Sequence, residues 1–227
     1  MDLQDVTKNQ HFVPQVEQRL NAINPLASQK NKKILSFSLN DRESHSIILD
    51  SPKGFKISQT LSLNDIFSFD ILEKESERYN FEKLFHQYEA DIKTNTDSLI
   101  SKLPQAGADI KSEILNIFVS KFLNFVRNPY SIKKVINTFP SLTSVHPTDP
   151  VHYRNFERVL NGRKPQQEYL CRQLGVSNEE YADWLSIIFL LLTPLKEDQP
   201  NFLEEVVKGI YENPDSLIMV LIYTYDN

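Results

Sequence analysis

Glu82, His86 and Glu89 recur along a stretch whose apolar residues repeat at helical spacing. At about 100° per residue, these three and Lys93 fall in one narrow stripe beside Phe81, Phe85 and Ile92. Two carboxylates around an imidazole can hold a divalent cation, or place a general base. The same spacing also suits a solvated helix edge with i,i+4 ion pairs. A second polar line, Asn116, Ser120, Asn124 and Arg127, runs through an otherwise apolar segment. A buried guanidinium is costly without a carboxylate, so Glu82 or Glu89 is the expected partner of Arg127. The pair would be either a clamp between two helices or an anion clamp beside acidic groups. His11 precedes Phe12, Val13 and Pro14, and the proline holds that segment extended. Its imidazole either anchors an N-terminal arm or serves as acid/base near neutral pH.

Other polar residues carry less. His146 and His152 flank a proline-rich stretch with Asp149 between them, but no third metal ligand is in register. The lone Cys171 follows Leu170 on a helical pattern and reads as packing. Arg154, Arg158, Arg163 and Lys164, interleaved with Tyr153 and Phe156, could meet a phosphate backbone or form an ordinary charged helix face. No glycine-rich phosphate loop and no G-x-S-x-G nucleophile elbow is present. With 25 basic and 30 acidic residues in 227, the net charge of -5 disfavours a polybasic nucleic-acid or membrane binder. A single cysteine excludes an internal disulfide. The polar opening residues and the shortness of every apolar run predict a cytoplasmic protein with no membrane span.

The elements that must position these groups can be read from period and punctuation. Residues 33–58 read as strands: Ile34, Phe37 and Leu39 in one, Ile47, Ile48 and Leu49 in the next, with Asn40 to Glu43 as a hairpin loop and a third strand after Gly54. A helix is predicted from about 79 to 103, ended by Pro104 and Gly107. A second, from 110 to 127, is apolar over much of its circumference and is expected to be central. Residues 140–150 form a proline-rich connection. Helices follow near 152–160, 165–175, 181–192 and 202–211, with a capping box at Ser177 and Glu180. Periodicity leaves 217–225 open between helix and strand. The expected fold is α+β, a small N-terminal antiparallel β-sheet packed against a predominantly α-helical body. Residues 1–140 form the core and 141–227 a helical subdomain packed on it.

His11-Phe12-Val13-Pro14-Gln15 with Arg19 resembles the opening H-[YF]-V-P signature of a bacterial family, the domain of unknown function 4238 family. Lys33 to Leu39 resembles its first strand, and Asn64 to Ser68 its D-x-[FY]-Y-[ST] element. Glu82 and Glu89 match its E-x6-E pair. Asn124 to Pro129 resembles its Q-x-x-R-[TN]-P motif, with Asn124 in place of Gln, and Gln18 stands where the family has Leu. The resemblance covers about residues 9–130. It implies a fold and a polar set of His11, Arg19, Glu82, Glu89, Asn124 and Arg127, and no established activity.

Two functions are expected from these residues. One is a hydrolase acting on nucleic acid or nucleotide, in the toxin or phage-defence setting of small standalone bacterial families of this kind. His11 would then be acid/base, Glu82 and Glu89 bases or, with His86, ligands of a divalent metal, and Arg127 the phosphate clamp. The other is a non-catalytic interaction module. Its Glu–Arg network would be structural, and a protein partner or second copy would bind through Trp184, Phe189, Phe202, Tyr211, Tyr223 and Tyr225 of the C-terminal half. A weaker third expectation is a small-ligand sensor with Arg127 at the base of its pocket.

Overall fold

Short polar turns punctuate the chain before residue 80, and helical periodicity dominates after it. The computed structural model describes residues 2–41, 43–72, 77–195 and 199–212. The segment 217–225 lies outside them. The strands are β1 (Asn9–His11), β2 (Lys33–Ile34), β3 (Phe37–Asp41), β4 (Ser46–Leu49), β5 (Phe55–Lys56), β6 (Ser62–Asn64), β7 (Ser68–Ile71) and β8 (Arg78–Asn80). The helices are α1 (Gln15–Leu20), α2 (Glu82–Glu89), α3 (Ile92–Lys102), α4 (Lys111–Val126), α5 (Ile132–Thr138), α6 (Pro150–Asn161), α7 (Gln167–Leu174), α8 (Asn178–Leu192) and α9 (Phe202–Glu212). The class is α+β with a helical body.

The strands do not share one sheet. They form two-stranded antiparallel ribbons pairing β1 with β6, β2 with β5, β3 with β4 and β7 with β8. In the β1–β6 ribbon Asn9 faces Asn64 and His11 faces Ser62. The predicted hairpin exists as β3–β4, but its apolar side chains stay on the surface, with Phe37 53% and Ile47 62% exposed. Alternation alone does not tell a strand which layer will cover it. The ribbons that pack on the body are the ones that carry Phe12, Phe67 and Phe69 into the core.

Two helix expectations are corrected. The helix predicted from 79 to 103 is two, α2 and α3, separated at Ala90 and Asp91. The polar run after Ile92 bonds back on its own backbone, through Asn95 Nδ2 to the Asp91 carbonyl and Thr96 Oγ1 to that of Ile92, which weakens continuous helix. The central helix is α8, not α4. Ile114 of α4 is 51% exposed, whereas every residue of α8 from Trp184 through Leu192 is buried. A helix apolar on all sides must be surrounded, and α8 packs against α5, α6, α7 and α9. Its start is the expected capping box: Ser177 Oγ accepts from the Glu180 N–H, and Glu180 accepts from the Ser177 N–H.

The helical C-terminal half is joined to the ribbons and to α4 by contacts that include the following. Tyr181 Oη donates to the Ile66 carbonyl at 2.7 Å, and Trp184 Nε1 to the Val126 carbonyl at 2.7 Å. At the end of α6, Gly162 sits so close to β7 that a Cβ there would lie 2.3 Å from the Phe69 carbonyl oxygen. Only glycine fits that approach. Trp184 and Phe189 are wholly buried. The expected C-terminal aromatic surface therefore loses both to the core, because their helix is the one every neighbour covers. Tyr223 and Tyr225 lie outside the described residues.

Candidate functional site

The N-terminal arm places His11. Pro14 at the cap of α1 is extended at φ -54 and ψ 134, and the buried Gln18 side chain donates to the Val13 carbonyl at 2.8 Å. The arm is thereby folded onto Thr60, whose carbonyl accepts from His11 Nδ1 at 3.0 Å. A carbonyl can only accept, so Nδ1 carries the proton in neutral His11 and Nε2 presents a lone pair. That Nε2 is buried without a hydrogen-bond partner among the described residues. Burial lowers the imidazole from its ordinary 6.5, the Thr60 carbonyl opposes this, and the charges of Arg127 and Arg19 reinforce it.

Arg127 caps the C-terminal end of α4 and is 1% exposed. Its Nη1 donates to Glu89 Oε1 at 2.5 Å and its Nη2 to Asn124 Oδ1 at 3.2 Å. The guanidinium lies over the Phe85 ring at 4.9 Å. Asn124 is held in turn by α1, donating to Glu17 Oε2 at 2.6 Å, and Glu17 is also bonded by Lys121. Glu89 is therefore the carboxylate that satisfies Arg127, one of the two partners anticipated. Among the described residues Arg127 Nε has no hydrogen-bond partner, nor does Nε of Arg19, whose Nη2 donates to Gln15 Oε1 at 2.6 Å.

Glu82, in the first turn of α2, takes a different part. Its Oε1 is buried and has no hydrogen-bond partner among the described residues. Burial first, then the Glu89 carboxylate, push it from 4.5 up to about 7, against the pull of Arg127. Two carboxylates seven residues apart thus differ: Glu89 neutralises a guanidinium, and Glu82 is poised to hold or release a proton near neutrality. Arg127 acts electrostatically on both Glu82 and His11. His11, Arg19, Glu82, Glu89 and Asn124 are each half-buried, and Arg127 is fully buried against Glu89 and Asn124.

His86, on the same helix, is exposed. Among the described residues no three His, Cys, Asp or Glu side chains are grouped as a metal ligand set. Asp149 is the N-cap of α6, accepting from the Val151 and His152 N–H groups, and His146 lies edge-on against Phe156. Phe156 is buried and Arg158 stacks on the Tyr79 ring at 4.1 Å, whereas Tyr153 stays exposed, so the basic stretch of α6 interleaves with one core and one surface aromatic. Cys171 is buried and its thiol pushed up by burial, as packing requires. Glu17 and Thr60 were not singled out from the sequence. Glu17 meets Asn124 across 107 positions, a contact no local pattern signals. Asp65 of the D-x-[FY]-Y-[ST]-like element is a structural group: its carboxylate accepts from Arg78 Nε and Ser68 Oγ, all three buried.

The raised Glu82 makes stability depend on pH. Between 4.5 and 7 the folded chain binds more protons than the unfolded one, so this group removes stability as pH rises through that window. With partial solvent access the loss is about 1–3 kcal/mol. Glu82→Gln mimics the neutral acid. It should match wild type in denaturant titrations below pH 4.5 and exceed it by that amount at pH 8. A difference that stays constant across the range would contradict the raised acid. His11 contributes the opposite slope, losing stability as pH falls below 6.5, which is why the comparison is made between variant and wild type.

No family model matches the chain, and no curated protein or solved structure matches it.

Proposed function

We propose that the His11–Arg127 cluster is the active site of a hydrolase for phosphate esters of nucleic acid or nucleotides. One observation carries the reading. The buried, unpartnered polar atoms of His11, Arg19, Glu82 and Arg127 form a complementary set: two N–H donors, a lone pair and an acid of raised pKa. Buried polar atoms are normally satisfied, and groups left open are often waiting for a ligand. Phosphoryl oxygens would accept from Arg127 Nε and Arg19 Nε. Water donating to His11 Nε2 would give up a proton as it attacks phosphorus. The protonated Glu82 would deliver its proton to the departing ester oxygen, and solvent would return the proton from His11. Glu89 and Asn124 hold the guanidinium in place. A divalent cation held by Glu82 and Glu89 would be the alternative to this proton delivery: it would keep Glu82 ionised and supply the charge neutralisation of the phosphate in place of the acid. The toxin or phage-defence setting is proposed with the activity as the setting of small standalone bacterial families, and rests on no residue of the chain.

A second reading is favoured by the depth of Arg127 and its short contact to Glu89. In that reading the network only fixes the register of α2 on α4, within a non-catalytic interaction module. Cleavage of single-stranded oligonucleotides and of a chromogenic phosphodiester, with Mg2+, with Mn2+ and with chelator, separates the two. Hydrolysis by wild type, reduced about 100-fold in folded Glu82→Gln and His11→Gln, supports the enzyme. Absence of cleavage under all three conditions, or variants as active as wild type, supports the module.

A further inference from the structure

A cleft of about 430 Å³ lies between the β1–β6 ribbon and α7, lined by uncharged side chains, polar except for Leu63 and Leu170. Gln166, Tyr169 and Gln173 present one face of α7, and Gln59 and Asn64 face them. Among the described residues none of these four amides has a protein hydrogen-bond partner. Tyr169 is 56% exposed, an aromatic ring left at the cleft edge. Carboxamides pair with the edges of heterocyclic bases through one donor and one acceptor, and tyrosine offers a face for stacking. A cleft without charge has no means of holding a phosphate or a carboxylate by itself.

Register ties the cleft to the candidate active site. Directly opposed residues of an antiparallel pair share a face, as do alternate residues of one strand. Asn9 opposite Asn64 and His11 opposite Ser62 therefore lie on one face of the ribbon, and Asn9, Ser62 and Asn64 line the cleft. Gln10, between them, is turned to the other side and fully buried. Both side chains of the shared face lean the same way, Asn9 onto the Ser58 carbonyl and His11 onto that of Thr60. Asn9 and His11 are one strand repeat apart, roughly 7 Å, a separation of the kind between the base and the 5′-phosphate of a nucleotide.

We infer that this cleft seats a nucleobase, so that the substrate presents a base to the amides and Tyr169 while its phosphate reaches His11 and the arginines. The inference rests on the phosphate-ester reading of the neighbouring site and names the substrate class. NMR titrations with a nucleoside, with inorganic phosphate and with the matching 5′-monophosphate test it, on wild type and on a Tyr169→Ala, Asn64→Ala double variant of exposed residues. The nucleoside should perturb β1, β6 and α7 saturably, and the monophosphate should bind at least ten-fold tighter than either fragment. The double variant should weaken nucleoside and monophosphate at least ten-fold and leave inorganic phosphate unchanged. No nucleoside effect at these elements, an unaltered double variant, or binding of a simple glycoside in place of nucleosides overturns the base site. Phosphate silence alongside nucleoside binding leaves the base site standing and removes the phosphate-ester reading instead.

Discussion

Arg127→Ala is expected to lower the unfolding free energy by about 3–5 kcal/mol. The substitution strips the partner from Glu89, whose Oε1 lies 2.5 Å from the guanidinium, and removes the donor to Asn124. It also empties a wholly buried volume over the Phe85 ring. The cost of breaking one side of a buried pair exceeds the worth of the pair, because the carboxylate left behind keeps its charge and loses its solvation. A double variant, Arg127→Met with Glu89→Met, should therefore be much less damaged than Arg127→Ala. Urea titrations of wild type, single and double variants at pH 7 check both statements. A loss under 1 kcal/mol for the single variant, on the order of a surface pair, would contradict the burial of the Glu89–Arg127 pair.

Trp184→Ala is expected to cost about 3–5 kcal/mol as well, by a different route. The indole is the largest fully buried side chain of the core. Truncating it opens a cavity among Phe67, Tyr181 and the helices around α8. Its Nε1–H also satisfies the Val126 carbonyl, the last residue of α4 before Arg127. The central helix thus pins the end of the helix that carries the guanidinium. Trp184→Phe keeps most of the volume and drops only that bond, so its expected loss is about 1–3 kcal/mol. Equal losses for the two variants, read from thermal or urea unfolding, would show that the hydrogen bond rather than the volume dominates.

Much of the scaffold was legible because its signals are local. Ser177 and Glu180 announce the start of α8, and Gly175 closes α7 with a left-handed φ of 66°. The Glu–Arg contact was legible for an energetic reason: a guanidinium on an apolar helix needs a carboxylate, and the pattern offered two. Choosing between Glu82 and Glu89 needed coordinates, since Glu89 is the one that reaches the guanidinium, while burial and the Glu89 carboxylate raise Glu82. The α2–α3 break escaped notice because no proline or glycine marks Ala90 or Asp91. The division of the strands into separate ribbons escaped for a related reason. Alternation specifies which side chains share a face but not which neighbour, if any, lies against it, and the exposed β3–β4 ribbon has the same alternation as a covered one.

The most direct measurement follows the guanidinium Nε–H resonances of Arg19 and Arg127 and the imidazole of His11 while inorganic phosphate is added at constant ionic strength. Saturable changes in all three with a single dissociation constant are the predicted result. Resonances that stay fixed, or drift together with salt and never saturate, would show that these buried atoms await no anion and that the cluster is a clamp.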